Sequence, residues 1–140
     1  MGDARPDSDS GPEIELEQIS AERNRDTWNI AWSVKNTGRH PLRILAVRLP
    51  HGQFKAEENR FEPGIDLKPG QATRFETLVR CDEPPGDVTE NAFVIFQVIR
   101  RGEARRIFTR IRVVVSPDGR PLTTTELITT QKVGFSKVKS

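Results

Sequence analysis

Trp28-Asn29-Ile30-Ala31-Trp32-Ser33-Val34-Lys35 decides the fold. Trp28, Ile30, Trp32 and Val34 alternate with Asn29, Ala31, Ser33 and Lys35, and only extended chain puts every second side chain on one face. The stretch is predicted to be a strand whose indoles point into a core, where each contributes ~2 to 3 kcal/mol when fully covered. Asn36-Thr37-Gly38 then supplies residues that tolerate positive φ, and Pro41 closes the loop before a strand at Leu42 to Leu49. Within that strand the apolar positions run Leu42, Ile44 and then Leu45, Val47, Leu49. A β-bulge, or a strand that switches sheets, would produce this change of phase near Ile44-Leu45.

The same period of two extends outward. Ile14 and Leu16 alternate with Glu13, Glu15 and Glu17 as an edge strand would, and Gln71 to Cys81 alternates Phe75, Thr77, Val79 and Cys81 with Arg74, Glu76, Leu78 and Arg80. Ala92 to Ile99 and Arg106 to Val115 are two long strands whose tight connection, Arg101-Gly102-Glu103, makes a hairpin. Between Pro50-His51-Gly52 and Pro69-Gly70 the pattern is irregular, and Phe54, Phe61, Ile65 and Leu67 are expected to plug one end of the fold. No segment longer than a turn carries the i, i+3, i+4, i+7 spacing of an amphipathic helix. The expected fold is all-β, an immunoglobulin-like Greek-key β-sandwich of about seven strands. It occupies residues 13–116, after a polar tail (1–12) expected to be disordered and before a C-terminal tail (117–140) that packs on the sheet or on a partner.

Composition sets limits on class and setting. At 140 residues, 34% hydrophobic and 30% charged, the chain suits one domain. A lone cysteine, Cys81, excludes an intrachain disulfide and a multi-cysteine metal site. No run approaches the ~18 to 20 apolar residues of a membrane helix, and Met1 to Pro12 is acidic where a secretory leader would be basic and then apolar. The expected location is therefore cytoplasmic, although an ectodomain whose leader had been removed would read the same. The net charge of +2 hides an asymmetry: up to Glu22 seven acids face Arg5 alone, whereas from Arg100 onward ten Lys/Arg face three acids. The opposite ends can steer a partner or meet within one molecule.

The order Trp28-x-Ile30-x-Trp32-x-Val34-x-Asn36-Thr37-Gly38, followed by Leu67-Lys68-Pro69-Gly70 ahead of the strand around Phe75, resembles bacterial immunoglobulin-like modules, notably the cell-adhesion-related domain found in bacteria. The likeness covers roughly residues 13–116. What it implies is a non-enzymatic accessory or adhesive module.

Chemistry-bearing patterns are sparse. His40 and His51 lie in expected loops, and a metal site wants three or four converging ligands. Cys81, in phase with Val79, reads as a core residue rather than a nucleophile. Glu57-Glu58, Glu62 and Asp66 supply oxygen ligands without the Asp-x-Asp-x-Asp-Gly spacing of a calcium loop. There is no phosphate loop, no Gly-x-Ser-x-Gly and no His-Glu-x-x-His. No catalytic residue, metal or cofactor is therefore assigned.

Two features nominate binding. Arg100, Arg101, Arg105, Arg106, Arg110 and Arg112 crowd the last hairpin, and guanidinium forks suit phosphates and carboxylates. Against a nucleic-acid surface, only Phe108 is interleaved with them, and arginine exceeds lysine sixteen to six throughout the chain. The second feature is Ala92-Phe93-Val94-Ile95-Phe96-Gln97-Val98-Ile99, apolar on both faces although a sandwich strand needs one. Either Val94, Phe96 and Val98 form an outer, partner-facing stripe over a core of Phe93, Ile95 and Ile99, or the reverse. Cover would come from the tail, whose Leu122, Leu127, Ile128, Val133, Phe135 and Val138 are apolar for a tail, from a second copy, or from another protein. The expected function is a non-catalytic protein-interaction or structural module, by a protein partner or self-association. The rivals are an anionic-ligand or nucleic-acid binder and a carbohydrate- or ion-binding sandwich, the latter requiring an exposed Trp28 or Trp32.

Overall fold

Alternation becomes strand wherever one face finds a partner layer, and the computed structural model, which describes residues 13–133, shows eight strands. They are β1 Ile14–Asn24, β2 Thr27–Asn36, β3 Leu42–His51, β4 Phe54–Leu67, β5 Ala72–Val79, β6 Val88–Arg100, β7 Glu103–Val115 and β8 Pro121–Lys132. A three-stranded sheet, β1-β2-β5, faces a five-stranded one, β4-β3-β6-β7-β8, and every pairing is antiparallel. The described residues contain no helix, hence none long and apolar enough to cross a membrane.

Trp32 organises the space between the layers. Its side chain is 1% exposed, and its indole Nε1 donates to Thr77 Oγ1 at 2.9 Å, so the polar edge that burial would otherwise penalise is satisfied. The ring stacks on Phe75 of its own sheet, with centroids 6.3 Å apart, and meets Phe54 of the opposite sheet edge-on at 6.5 Å. Phe75 in turn receives Phe96 and Phe61 edge-on at 5.7 and 6.0 Å. Trp28, Ile30 and Val34 are buried as their phase requires.

The phase change in β3 is a bulge: the pairing shifts between Ile44 and Ala46 against both β4 and β6. The structure departs from the expected irregular stretch, because residues 54–67 form one long edge strand. Two register shifts against β3 break its alternation, so only Phe54, Ala56 and Leu67 are buried, and a period-two search misses it. Gly64 lies there because a Cβ would stand 2.9 Å from Arg43 Cγ and 3.1 Å from the Ile44 carbonyl oxygen. At the other extreme, the chain beyond Ser116 adds the eighth strand. The described part of the tail extends the sheet beside β7 rather than crossing the face of β6; Phe135 and Val138 lie outside the described residues.

Both lateral seams are stitched. Gln18 acts as a surrogate strand, donating Nε2 to the Pro121 carbonyl at 3.0 Å and accepting the Thr123 N–H at 2.9 Å, while Thr125 Oγ1 donates to the Leu16 carbonyl at 3.1 Å. Opposite, Lys55 and Arg80 exchange backbone bonds of 3.1 and 2.8 Å. Such closure leaves little open edge for stray pairing.

Asn36 works through its side chain, since no residue of Asn36-Thr37-Gly38 has positive φ. Fully buried, it donates Nδ2 to the carbonyls of His40 and Leu67, each at 2.9 Å, and accepts the Gly38 N–H at 2.9 Å. Its backbone bonds Gly70 and Gln71, which ties the turn after β2 to Lys68-Pro69-Gly70.

Two stability outcomes follow from these contacts. Asn36→Ala strands the Leu67 carbonyl in the interior and should cost about 3 kcal/mol in urea unfolding. Thr109, fully buried on β7, has a hydroxyl without a hydrogen-bond partner among the described residues. Thr109→Val should therefore raise the melting temperature by about 3 °C in calorimetry, and a lower one would show that the hydroxyl is satisfied.

Candidate functional site

With Trp32 and Phe96 fixing what points inward, the outward sets are fixed too. On the three-stranded sheet the outer face is mostly polar, with Glu15 opposite Lys35, Glu17 opposite Ser33, and Ser33 opposite Arg74, although Leu78, opposite Asn29, is 55% exposed there. The outer face of the five-stranded sheet is different. Val94, Phe96 and Val98, one candidate outer stripe, are fully buried in the core. They cannot meet a partner, and this is a correction: they point into the core, where Phe96 meets Phe75, so the outward set of β6 is Phe93, Ile95, Gln97 and Ile99.

Neighbouring strands extend this set into a patch. Ile95 sits between Arg48 of β3 and Phe108 of β7, and Phe93 meets Phe108 edge-on at 6.2 Å. Although Ile95 faces outward, it is only 6% exposed between these two large neighbours. Towards β8 the face is mixed: Val88 pairs Val114, which pairs Leu122, Leu127 stands opposite Arg110, and Arg112, Thr124 and Thr129 lie among them. Five large apolar residues are exposed among the described residues, and three of them, Val88 at 44%, Leu122 at 47% and Leu127 at 49%, stand on this one face.

The six arginines do not form one cluster. Arg106, Arg110 and Arg112 border the outer patch together with Arg48, which the sequence reading did not single out because it is an isolated cation in an apolar strand. Arg112 is paired with Glu90 at 3.0 Å and Arg110 lies 3.9 Å from Glu126, whereas Arg48 and Arg106 have no ion pair among the described residues. Arg43, further along β3, is held by Asp66 through bonds of 2.8 and 3.2 Å. Arg100 and Arg105 turn to the inner side at one end of the sandwich, and Arg101 occupies the hairpin turn, with φ of 54° beside Gly102 at 77°. Arg100 is buried with Glu13 at 2.6 Å, both side chains 5% exposed, so acid from the start of the chain and base from β6 do meet within the molecule. That pair ties β1 to the opposite sheet and serves the fold rather than the surface.

The remaining candidates are dispersed. Glu58 and Glu62 lie near Arg60, Asp66 pairs with Arg43, and no group of three or more His, Cys, Asp or Glu converges among the described residues. His51 ends β3 and accepts the Gln53 N–H on Nδ1. Cys81 is buried, and burial pushes its thiol pKa above the ordinary value, against a nucleophilic role. Trp28 and Trp32 are buried, so neither offers a stacking platform.

In comparison with known proteins, no family model matches this chain, and no curated protein matches its sequence.

Arg43, by its hydrogen bond, holds the Asp66 carboxyl below the ordinary carboxylate range. A carboxyl lowered on folding stabilises fully above its unfolded pKa, and that contribution fades as pH falls through the folded value. Asp66→Asn should thus flatten the stability profile slightly below pH ~4 while matching the parent in shape near neutrality. An unchanged acid limb would show the pair contributes nothing.

Proposed function

We propose that this chain is a non-catalytic, immunoglobulin-like interaction module that holds an acid-bearing protein partner on the outer face of its five-stranded sheet. The observation that carries the proposal is that exposed Val88, Leu122 and Leu127 share one sheet face with the Phe93–Phe108 pair, and that Arg48 and Arg106 stand on the same face. Aromatic and aliphatic side chains with arginine at their border are the composition of binding hot spots, where the apolar centre supplies affinity and the charges supply orientation.

The partner's chemistry follows from the border. Arg48 and Arg106, without ion pairs among the described residues, favour carboxylates presented around an apolar centre. The immunoglobulin-like assignment is supported by strand order: with β1, β2, β5 as strands A, B, E and β4, β3, β6, β7 as C′, C, F, G, the two sheets follow that arrangement, and β8 is added beside G. The two turns on which the family likeness rests also bond to one another through Asn36 and Gly70. Buried indoles and dispersed carboxylates give the carbohydrate- and ion-binding readings no support.

The experiment compares quantitative capture from cells by the parent, Leu127→Glu, Arg106→Glu, and Glu17→Lys on the opposite sheet. A partner retained by the parent and Glu17→Lys but reduced at least ~10-fold by both outer-face variants, with melting within about 2 °C, is the expected result. Capture indifferent to the outer-face variants, or a parent that sediments as a dimer dissociated by Leu127→Glu, would overturn it.

A further inference from the structure

We infer that the end of the sandwich beside the β6–β7 turn is a pocket for the phosphate group of a small ligand, separate from the protein-binding face proposed above. A pocket of about 460 Å³ opens there, lined by Arg100, Arg101, Glu103, Arg105 and Lys132, within the size range of small-ligand sites. The hairpin brings them together. Arg101-Gly102 makes a two-residue turn with both φ positive, Arg105 lies across from Val98 on the inner side, and Lys132 pairs with Arg105 from β8.

Charge and hydrogen bonding define the ligand. Arg100 is engaged by Glu13, and of the remaining described residues that line the pocket Arg101, Arg105 and Lys132 face Glu103 alone, an excess of two positive charges among them. Glu103 marks where an anion rests: it accepts from Arg105 Nη2 at 3.0 Å and lies 3.8 Å from Lys132 Nζ. It is half exposed and can swing out, whereas the Arg105 side chain is only 13% exposed. Arg105 Nε is buried and has no acceptor among the described residues, so Glu103 uses one arm of a fork that can serve two oxygens. A tetrahedral dianion fills both arms, neutralises the excess charge and reaches Arg101 and Lys132. No aromatic side chain lines the pocket, so it has no platform for a base, and the ligand is a phosphate-bearing small molecule rather than a single-stranded nucleic acid.

The test is a titration of the full chain with inorganic phosphate, followed by the amide resonances of residues 101–105. Saturable shifts are expected, with acetate at least ~10-fold weaker. Arg105→Gln should weaken phosphate ~10-fold or more, and Arg101→Asn, which preserves the turn because Asn-Gly suits it, should weaken it several-fold even if the first variant folds poorly. Glu103→Gln should tighten binding, since the internal competitor is gone; a purely structural role for Glu103 predicts no gain. Lys35→Gln, on the opposite sheet, should leave the affinity unaltered. Shifts that grow linearly and equally with phosphate and chloride, weaker binding in Glu103→Gln, or an oligonucleotide that binds over ~100-fold tighter than phosphate would overturn the inference.

Discussion

The contact between Trp32 and the phenylalanines around it is the constraint on which the molecule depends. It is the place where side chains of both sheets join: Phe75 of one stacks on Trp32, Phe54 of the other meets Trp32 edge-on, and Phe96 of the other meets Phe75. A large ring with one polar atom can be buried between sheets only if that atom is bonded, and Thr77 on the neighbouring strand does this. The pairing of β2 with β5 is thereby tied to the packing of one layer on the other. A one-residue slip of either strand would turn Trp32, Phe75 and Thr77 to opposite faces.

That packing also dictates what lies outside. Once Phe96 is committed to Phe75, the strand that carries it must present Phe93, Ile95 and Ile99 to the exterior. Across β7 and β8 the same face adds Phe108, Val114, Leu122 and Leu127 among arginines and threonines, so the outer patch is a by-product of the core's phase and of strand order. Because the sandwich is a thin double layer, each apolar position beyond the needs of one face becomes surface, the ground on which the proposed binding role rests. Arginine suits such a face, since an aliphatic stem can lie along apolar surface while its guanidinium remains solvated.

The same β6–β7 hairpin places its arginines in two unlike settings. Alternation sends Arg106, Arg110 and Arg112 to the open face and Arg105 to the inner end, and the bend at Arg101-Gly102 brings Arg100 beneath the chain's first described residue. Burying Arg100 carries a desolvation cost that the 2.6 Å contact with Glu13 offsets, and this makes the acidic start of β1 a structural element of the opposite sheet. One short run of like charges therefore yields a border, a pocket and an internal tie.

By itself the sequence determined the class of fold and most of its strands, because period-two alternation is a local property that survives without knowledge of neighbours; Trp28 to Lys35 and the phase shift at Ile44-Leu45 were legible for that reason. Residues 54–67 and 121–132 were not legible as strands. The first is broken by bulges against β3, and the second is an edge strand of threonines whose partner lies on the far side of β7. The six arginines and the two-faced β6 could be singled out from residue types alone. Which arginines shared a site, and which face of β6 was core, only the tertiary structure decided, for the physical reason that alternation fixes which side chains agree with one another but not which way the strand is turned; that direction is set by what the opposing sheet offers to cover.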